Sequence, residues 1–199
     1  MKKNYCTIYL TRHGETEWNV KKLIQGQNDI PLNKKGKEQA EKLSEKLKKI
    51  KFDLIYSSDL KRASETAKII AGKRELKIIK SKALRERHFG KYQGVSFKKS
   101  KAIFEIINNL KTNEKKDAKV EDEQKVIKRF INYIREVSIQ NLDKTILIVT
   151  HAGPIRLFLI NLSFRIYKNL SEGNINNLSY VQLISDGVSF EIEKTKGIK

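Results

Sequence analysis

The sequence predicts an α/β fold, a three-layer α/β/α sandwich on a mostly parallel sheet, and three observations carry that reading. Short β-rich apolar runs alternate with stretches whose apolar residues recur at helical spacing, the pattern of a layered α/β chain. The run Ile146-Leu147-Ile148-Val149 is apolar at every position, which suits a strand covered by helices on both faces. Three of the runs end abruptly in polar residues and are followed by a helical pattern, as strand-to-helix crossovers require.

Taken in order, residues 6–11 form the first strand. Residues 36–50 place Ala40, Leu43, Leu47 and Ile50 on one helical face. A second strand over 52–56 ends at Ser57-Ser58, and a helix over 60–71 aligns Ala63, Ala67 and Ile70. Residues 77–80 form a short third strand leading into an irregular stretch with Glu86, Gly90 and Gly94. Helices are expected over 97–110 and 123–139, joined by a mobile Lys- and Glu-rich loop; 95–125 together form a helical lid or specificity insertion. The central strand is 145–150, and Pro154 opens the helix after it, where a missing N–H is no loss. Strands over 179–184 and 188–192 flank Ser185-Asp186-Gly187, a hairpin signal. With no internal repeat or linker, residues 1–199 are expected to form one domain.

Composition narrows the function. At 199 residues, with 39% hydrophobic and 33% charged residues, the chain buries a core without a disulfide or metal staple. Its longest apolar run is far too short to span a bilayer, so no membrane association is expected. No secretion signal precedes the first strand, and the single cysteine, Cys6, reads as a small buried hydrophobe; a cytoplasmic location is expected. The formal charge is +19, which raises a polyanion partner, yet 33 of the 42 cations are Lys scattered along the chain without a basic arm. A solvated basic surface that draws small anions is the simpler reading.

In open parallel sheets ligands bind beyond the carboxyl ends of the strands. Beyond the first strand stand Arg12-His13-Gly14-Glu15, beyond the second Ser57-Ser58-Asp59-Leu60-Lys61-Arg62, and beyond the central one His151-Ala152-Gly153-Pro154. Two of the three histidines therefore sit just past the two best strands. Neutral imidazole is a nucleophile, and neighbouring guanidiniums both keep it neutral and match phosphate oxygens in pairs. Glycines beside helix starts let backbone N–H groups approach an anion. This chemistry is phosphoryl transfer with no metal required.

Five ordered blocks between residues 7 and 160 resemble the histidine phosphatase superfamily, the branch of cofactor-dependent phosphoglycerate mutases and related phosphatases. They are Leu10 to Asn19 with its Arg12-His13-Gly14-Glu15 core, Gly26 to Leu32 with Gly36 and Gln39-Ala40, Ser57 to Ala67, Leu84 to Gly94, and Val149 to Gly153. The resemblance implies the phosphoglycerate mutase-like fold and a phosphohistidine formed on His13. It further implies that Arg12, Arg62 and His151 surround the phosphate, that Asn19, Gln25, Gly26 and Ala152 add substrate contacts, and that Glu86 acts as general acid and then base. No metal or cofactor is implied, and the partner is a small phosphorylated substrate. Arg85 and Arg87 flank Glu86 and offer it a surface ion pair instead; Glu15 is the next carboxylate to consider.

Within the family the block around Glu86 resembles the mutase form. The mutases, however, carry Tyr, Lys and Asn where Phe89, Phe97 and Gly153 stand, and two adjacent arginines in a longer insertion. Those groups hold the far end of a phosphoglycerate, so water is the expected acceptor and a metal-independent phosphomonoester phosphatase the expected activity, with phosphoglycerate mutase as the alternative. Two further readings stay open: a nucleic-acid binder on a degenerate phosphatase fold, which is disfavoured because the site residues are intact, and a metal hydrolase using His13, His88 and His151. A homodimer is left open.

Overall fold

The computed structural model describes residues 4–72, 74–96, 101–162 and 175–198, with the backbone alone at 101–104. Among these, β1 (Cys6–Arg12), β2 (Leu54–Ser58), β3 (Ile78–Ser81), β4 (Thr145–Thr150), β5 (Ile175–Ser185) and β6 (Phe190–Ile198) form one sheet in the order β3-β2-β4-β1-β5-β6. The first four run parallel, while β5 pairs antiparallel with β1 and β6 antiparallel with β5. The helices are α1 (Glu17–Val20), α2 (Lys34–Lys46), α3 (Lys61–Ala71), α4 (Lys101–Asn109), α5 (Thr112–Asp117), α6 (Glu123–Gln140) and α7 (Ala152–Asn161).

Strand alternation separates two cores and so creates the layers. Ile8 and Leu10 of β1 and Ile146 and Ile148 of β4 face Phe130 and Ile134 of α6 and Ile155 and Phe158 of α7. Their neighbours Tyr9, Leu147 and Val149 point the other way, onto Leu43 of α2 and Ala63, Ala67 and Ile70 of α3. The expected α/β/α sandwich is thus formed, with β4 apolar throughout because helices cover both of its sides. Cys6 is fully buried, and burial first, then Asp53, pushes its thiol up to about 12, so it is inert packing.

Three local expectations change. The helix after β4 starts at Ala152 with His151 as its cap, so Pro154 is its third residue; the first four helical N–H groups lack intrahelical partners, so proline costs nothing there either. The Lys- and Glu-rich piece holds α5 rather than a plain loop, and Ala118 and Val120 after it pack with Ile24, Phe89 and Ile107. Residues 97–100 of the expected helix lie outside the described residues; α4 begins at Lys101. Finally, β5 and β6 run well beyond the expected spans, pairing from Ile175 to Ile198 around the 186–189 turn. No helix among the described residues is long and apolar enough to cross a membrane.

Candidate active site

The sheet order puts β1 and β4 side by side although they are far apart in sequence. Arg12 is registered with Thr150, and the His13 N–H donates to the Thr150 carbonyl at 3.0 Å. His13 and His151 therefore leave adjacent strand ends together, with ring centroids 5.1 Å apart. A cavity of about 190 Å³ opens there, lined on its polar side by Arg12, His13, Asn19, Gln25, Arg62 and Glu86.

The hydrogen bonds assign the two imidazoles opposite tautomers. Nδ1 of His13 lies 2.7 Å from the Gly14 carbonyl, an acceptor only, so Nδ1 carries the proton and Nε2 keeps its lone pair. Arg62 Nε donates to Nδ1 of His151 at 3.2 Å, so the His151 proton sits on Nε2, a buried atom with no protein partner among the described residues. Both rings are buried, and burial first, then the Arg62 charge, holds both well below the ordinary histidine value. They are neutral at pH 7.

Arg62 is completely buried in the first turn of α3. Its NH1 donates to the Asn28 carbonyl at 2.8 Å and its NH2 to the Gly26 carbonyl at 2.6 Å, so it ties the 26–28 loop to the strand ends. Gly26 adopts φ +52°, a left-handed conformation, and a Cβ there would lie 2.1 Å from Gln93 Oε1. Arg12 donates through NH1 to the Ile175 carbonyl at 2.6 Å, while its buried Nε has no partner among the described residues. Burial outweighs the neighbouring Glu86 and lowers both guanidiniums to about 10, so both stay charged at neutral pH.

Asn19 uses its Oδ1 on the Thr16 N–H and hydroxyl, which leaves its NH2 as the end available to the cavity it lines. Gln25 brings a buried Oε1 without a partner among the described residues, and Ala152 and Gly153 place the start of α7 in the cavity wall. Trp18 is half-buried on α1, with its ring beside Gly94.

Glu86 is free of both flanking arginines. Arg85 forks onto Asp59 at 2.7 and 2.6 Å, and Arg87 turns to Glu123 at 2.7 Å. The Glu86 carboxylate instead accepts from the Arg87 backbone N–H at 2.9 Å and from the Gly153 N–H at 3.1 Å, which hangs it over the start of α7. Glu15 is held by Asn33 and Lys35 and does not line the cavity. His88 also stays away: its ring rests on the Lys119 carbonyl and the Gly90 N–H, so the three histidines do not converge.

Several contributors went unread in the sequence. Arg156 lines the cavity, and its signal was available, since it follows Ala152 by one helical turn. Arg129 of α6 donates to the carbonyls of Ala83, Arg85 and Glu86 at 2.8, 2.7 and 3.1 Å and pairs with Glu121, clamping the Glu86 segment; nothing local in the sequence marks it. Asn177 of β5 donates to the His13 carbonyl at 2.9 Å.

Comparison with known proteins places this geometry in context. Residues 8–196 match the family model of the histidine phosphatase superfamily (branch 1). "Phosphoglycerate mutase-like protein 4" of Arabidopsis thaliana is 36% identical over 159 residues, 77% of this chain and 69% of the relative. "Metal-independent phosphoserine phosphatase" of the same plant is 32% identical over 182 residues, 86% of this chain and 73% of the relative. Among solved structures, Bacillus stearothermophilus YhfR superposes with a TM-score of 0.82 at 28% identity, covering 96% of both chains. A match over nearly the whole sequence, with the motif residues gathered on one cavity, shows that the chain belongs to the histidine phosphatase superfamily.

Proposed function

We propose that the chain is a phosphomonoester phosphatase working through a phosphohistidine on His13. The observation that carries this is the pair of opposed tautomers: His13 presents a bare Nε2, and beside it His151 holds a proton on an unpartnered Nε2. In the first half-reaction His13 Nε2 attacks phosphorus while the ester oxygen leaves with the proton of Glu86. The charge that develops on the ring is met by the Gly14 carbonyl at Nδ1. Arg12 Nε, His151 Nε2 and the Asn19 amide donate to the transferring phosphoryl oxygens, a preorganised shell of the kind that dominates such reactions. In the second, Glu86, now a carboxylate, takes a proton from water as its oxygen attacks phosphorus, releasing phosphate and neutral His13.

Water rather than a second phosphoglycerate site is the acceptor on two grounds. Phe89 and Gly153 occupy places where the resembled mutases carry Tyr and Asn. A Cβ on Gly153 would also lie 2.1 Å from Glu86 Oε1, so the present seat of Glu86 depends on glycine and excludes an Asn there. The phosphatase reading is also in keeping with the metal-independent phosphoserine phosphatase among the relatives.

The test supplies 3-phosphoglycerate with a 2,3-bisphosphoglycerate primer, in excess EDTA, and follows inorganic phosphate and 2-phosphoglycerate together. Phosphate release, with rapid-quench label on His13 and no turnover in His13→Ala, supports the proposal. Formation of 2-phosphoglycerate at about 1 to 10³ s⁻¹ would replace it with the mutase reading.

A further inference from the structure

Among the described residues, the cavity lining holds one cation that the proposed reaction leaves unused. The charged side chains that line it among those residues are Arg12, Arg62, Glu86 and Arg156. Arg12 and Arg62 carry two positive charges, matched by the two negative charges of a phosphomonoester. Glu86 must be protonated to act as an acid, so in the reactive complex it cancels nothing. One positive charge, that of Arg156, is left over beside an apolar wall of Leu23, Ile24, Phe89 and Ile175, where uncompensated charge is costly.

Helix geometry fixes where this charge sits. Ala152 lies at the phosphate end of α7, and Arg156 follows it at i+4 on the same face, about 6 Å along the axis. Helical side chains lean toward the helix N-terminus, so the Arg156 guanidinium reaches back over the turn that lines the cavity. It is near enough for its charge to weigh on Arg12. Arg156 itself makes no ion pair with a described residue, whereas Arg85, Arg87 and Arg129 each have a carboxylate.

Resting on the phosphatase reading above, we infer that Arg156 is a specificity-determining residue that anchors a carboxylate on the substrate, a few bonds from the phosphate. One excess charge calls for one singly charged anion, and the apolar wall accommodates the short carbon chain between the two groups. The preferred substrates are therefore small phosphorylated acids rather than the corresponding alcohols.

The decisive comparison is between 3-phosphoglycerate and glycerol 3-phosphate, which differ by a carboxylate in place of a hydroxymethyl group. Affinities are measured by calorimetry in a His13→Ala background, so that no turnover intervenes. A charge-assisted hydrogen bond is worth about 1.5–3 kcal/mol, so the acid should bind roughly 10- to 150-fold more tightly. Adding Arg156→Gln should bring the ratio close to one, and Arg156→Glu should make the alcohol the better ligand. A ratio near one with Arg156 present, or a ratio that survives Arg156→Gln, overturns the inference. Failure of the phosphatase reading has a different signature: the affinity ratio responds to Arg156 while the enzyme with His13 intact releases no phosphate from either ester.

Discussion

Arg62 Nε and His151 Nδ1 are 3.2 Å apart, and this one contact sets the tautomer of the second histidine. A guanidinium N–H can only donate, so Nδ1 must accept, and the imidazole proton is forced onto Nε2. His13 is set the opposite way by the Gly14 carbonyl 2.7 Å from its Nδ1. Two chemically identical rings thus present opposite Nε2 atoms, one a bare lone pair and the other an N–H, through their backbone and arginine neighbours alone. The same guanidinium also holds the Gly26 and Asn28 carbonyls, so tautomer and loop position rest on one side chain.

Arg62→Lys tests that double role. An ammonium on a flexible stem cannot reproduce the planar fork that serves His151, Gly26 and Asn28 together. The variant should lose roughly 10²- to 10³-fold in kcat, the scale of removing one preorganised donor. Circular dichroism and urea titration of the same sample separate lost alignment from lost folding. A kcat within about threefold of the parent would mean that His151 needs no guanidinium partner.

Acid should destabilise the protein through its two buried histidines. Burial and Arg62 depress both folded-state values below 6.5, so in the window just below that pH the unfolded chain binds more protons than the native one. The stabilisation is present above pH 6.5 and is lost as pH falls, by at most about 1.4 kcal/mol per pH unit for each histidine. Urea unfolding at pH 7.5, 6.5 and 5.5 should show this slope, and a His13→Gln, His151→Gln double variant should flatten it. An equal slope in both proteins would assign the acid sensitivity to other groups.

The sheet and the site were legible in the sequence to different depths. β4 was readable residue for residue because burial on both faces leaves no polar position to blur its ends. The ends of β5 and β6 were not, because a hairpin at the edge of a sheet is half exposed and its pattern fades into polar residues. His13, His151, Arg12 and Arg62 were legible because each ends or directly follows a strand or stands in the first turn of the next helix. Glu86 could be located but its partners could not, since Gly153 and Arg129 reach it from segments distant in sequence. Arg156 was overlooked because a cation on a helix has an ordinary explanation, solvation, until the opposite wall is seen.

Replacing Glu86 should affect leaving groups unequally. General acid catalysis contributes about 10²- to 10⁴-fold, so Glu86→Gln should lower kcat by that order for alkyl phosphates, whose alkoxides leave poorly without a proton. Aryl phosphates leave more readily and should be affected far less. Equal losses for both classes would show that Glu86 holds the substrate rather than protonating it.

Gly153→Ala reaches the same carboxylate without changing its chemistry. Gly153 lies in the first turn of α7 without a left-handed backbone, so alanine is acceptable to the helix itself. Its new Cβ would stand 2.1 Å from Glu86 Oε1 and 3.1 Å from the carboxyl carbon, so Glu86 must swing away and give up the Gly153 N–H at 3.1 Å. The three atoms nearest that methyl group all belong to Glu86, and none to Arg12, Arg62 or the two histidines. The variant should therefore behave like Glu86→Gln, with kcat for alkyl phosphates reduced about tenfold or more, aryl phosphates largely spared, and inorganic phosphate inhibiting at nearly its original concentration. If Gly153→Ala instead weakens phosphate inhibition while leaving the alkyl-to-aryl ratio intact, the methyl group acts on the anion site, and the carboxylate is not seated by Gly153.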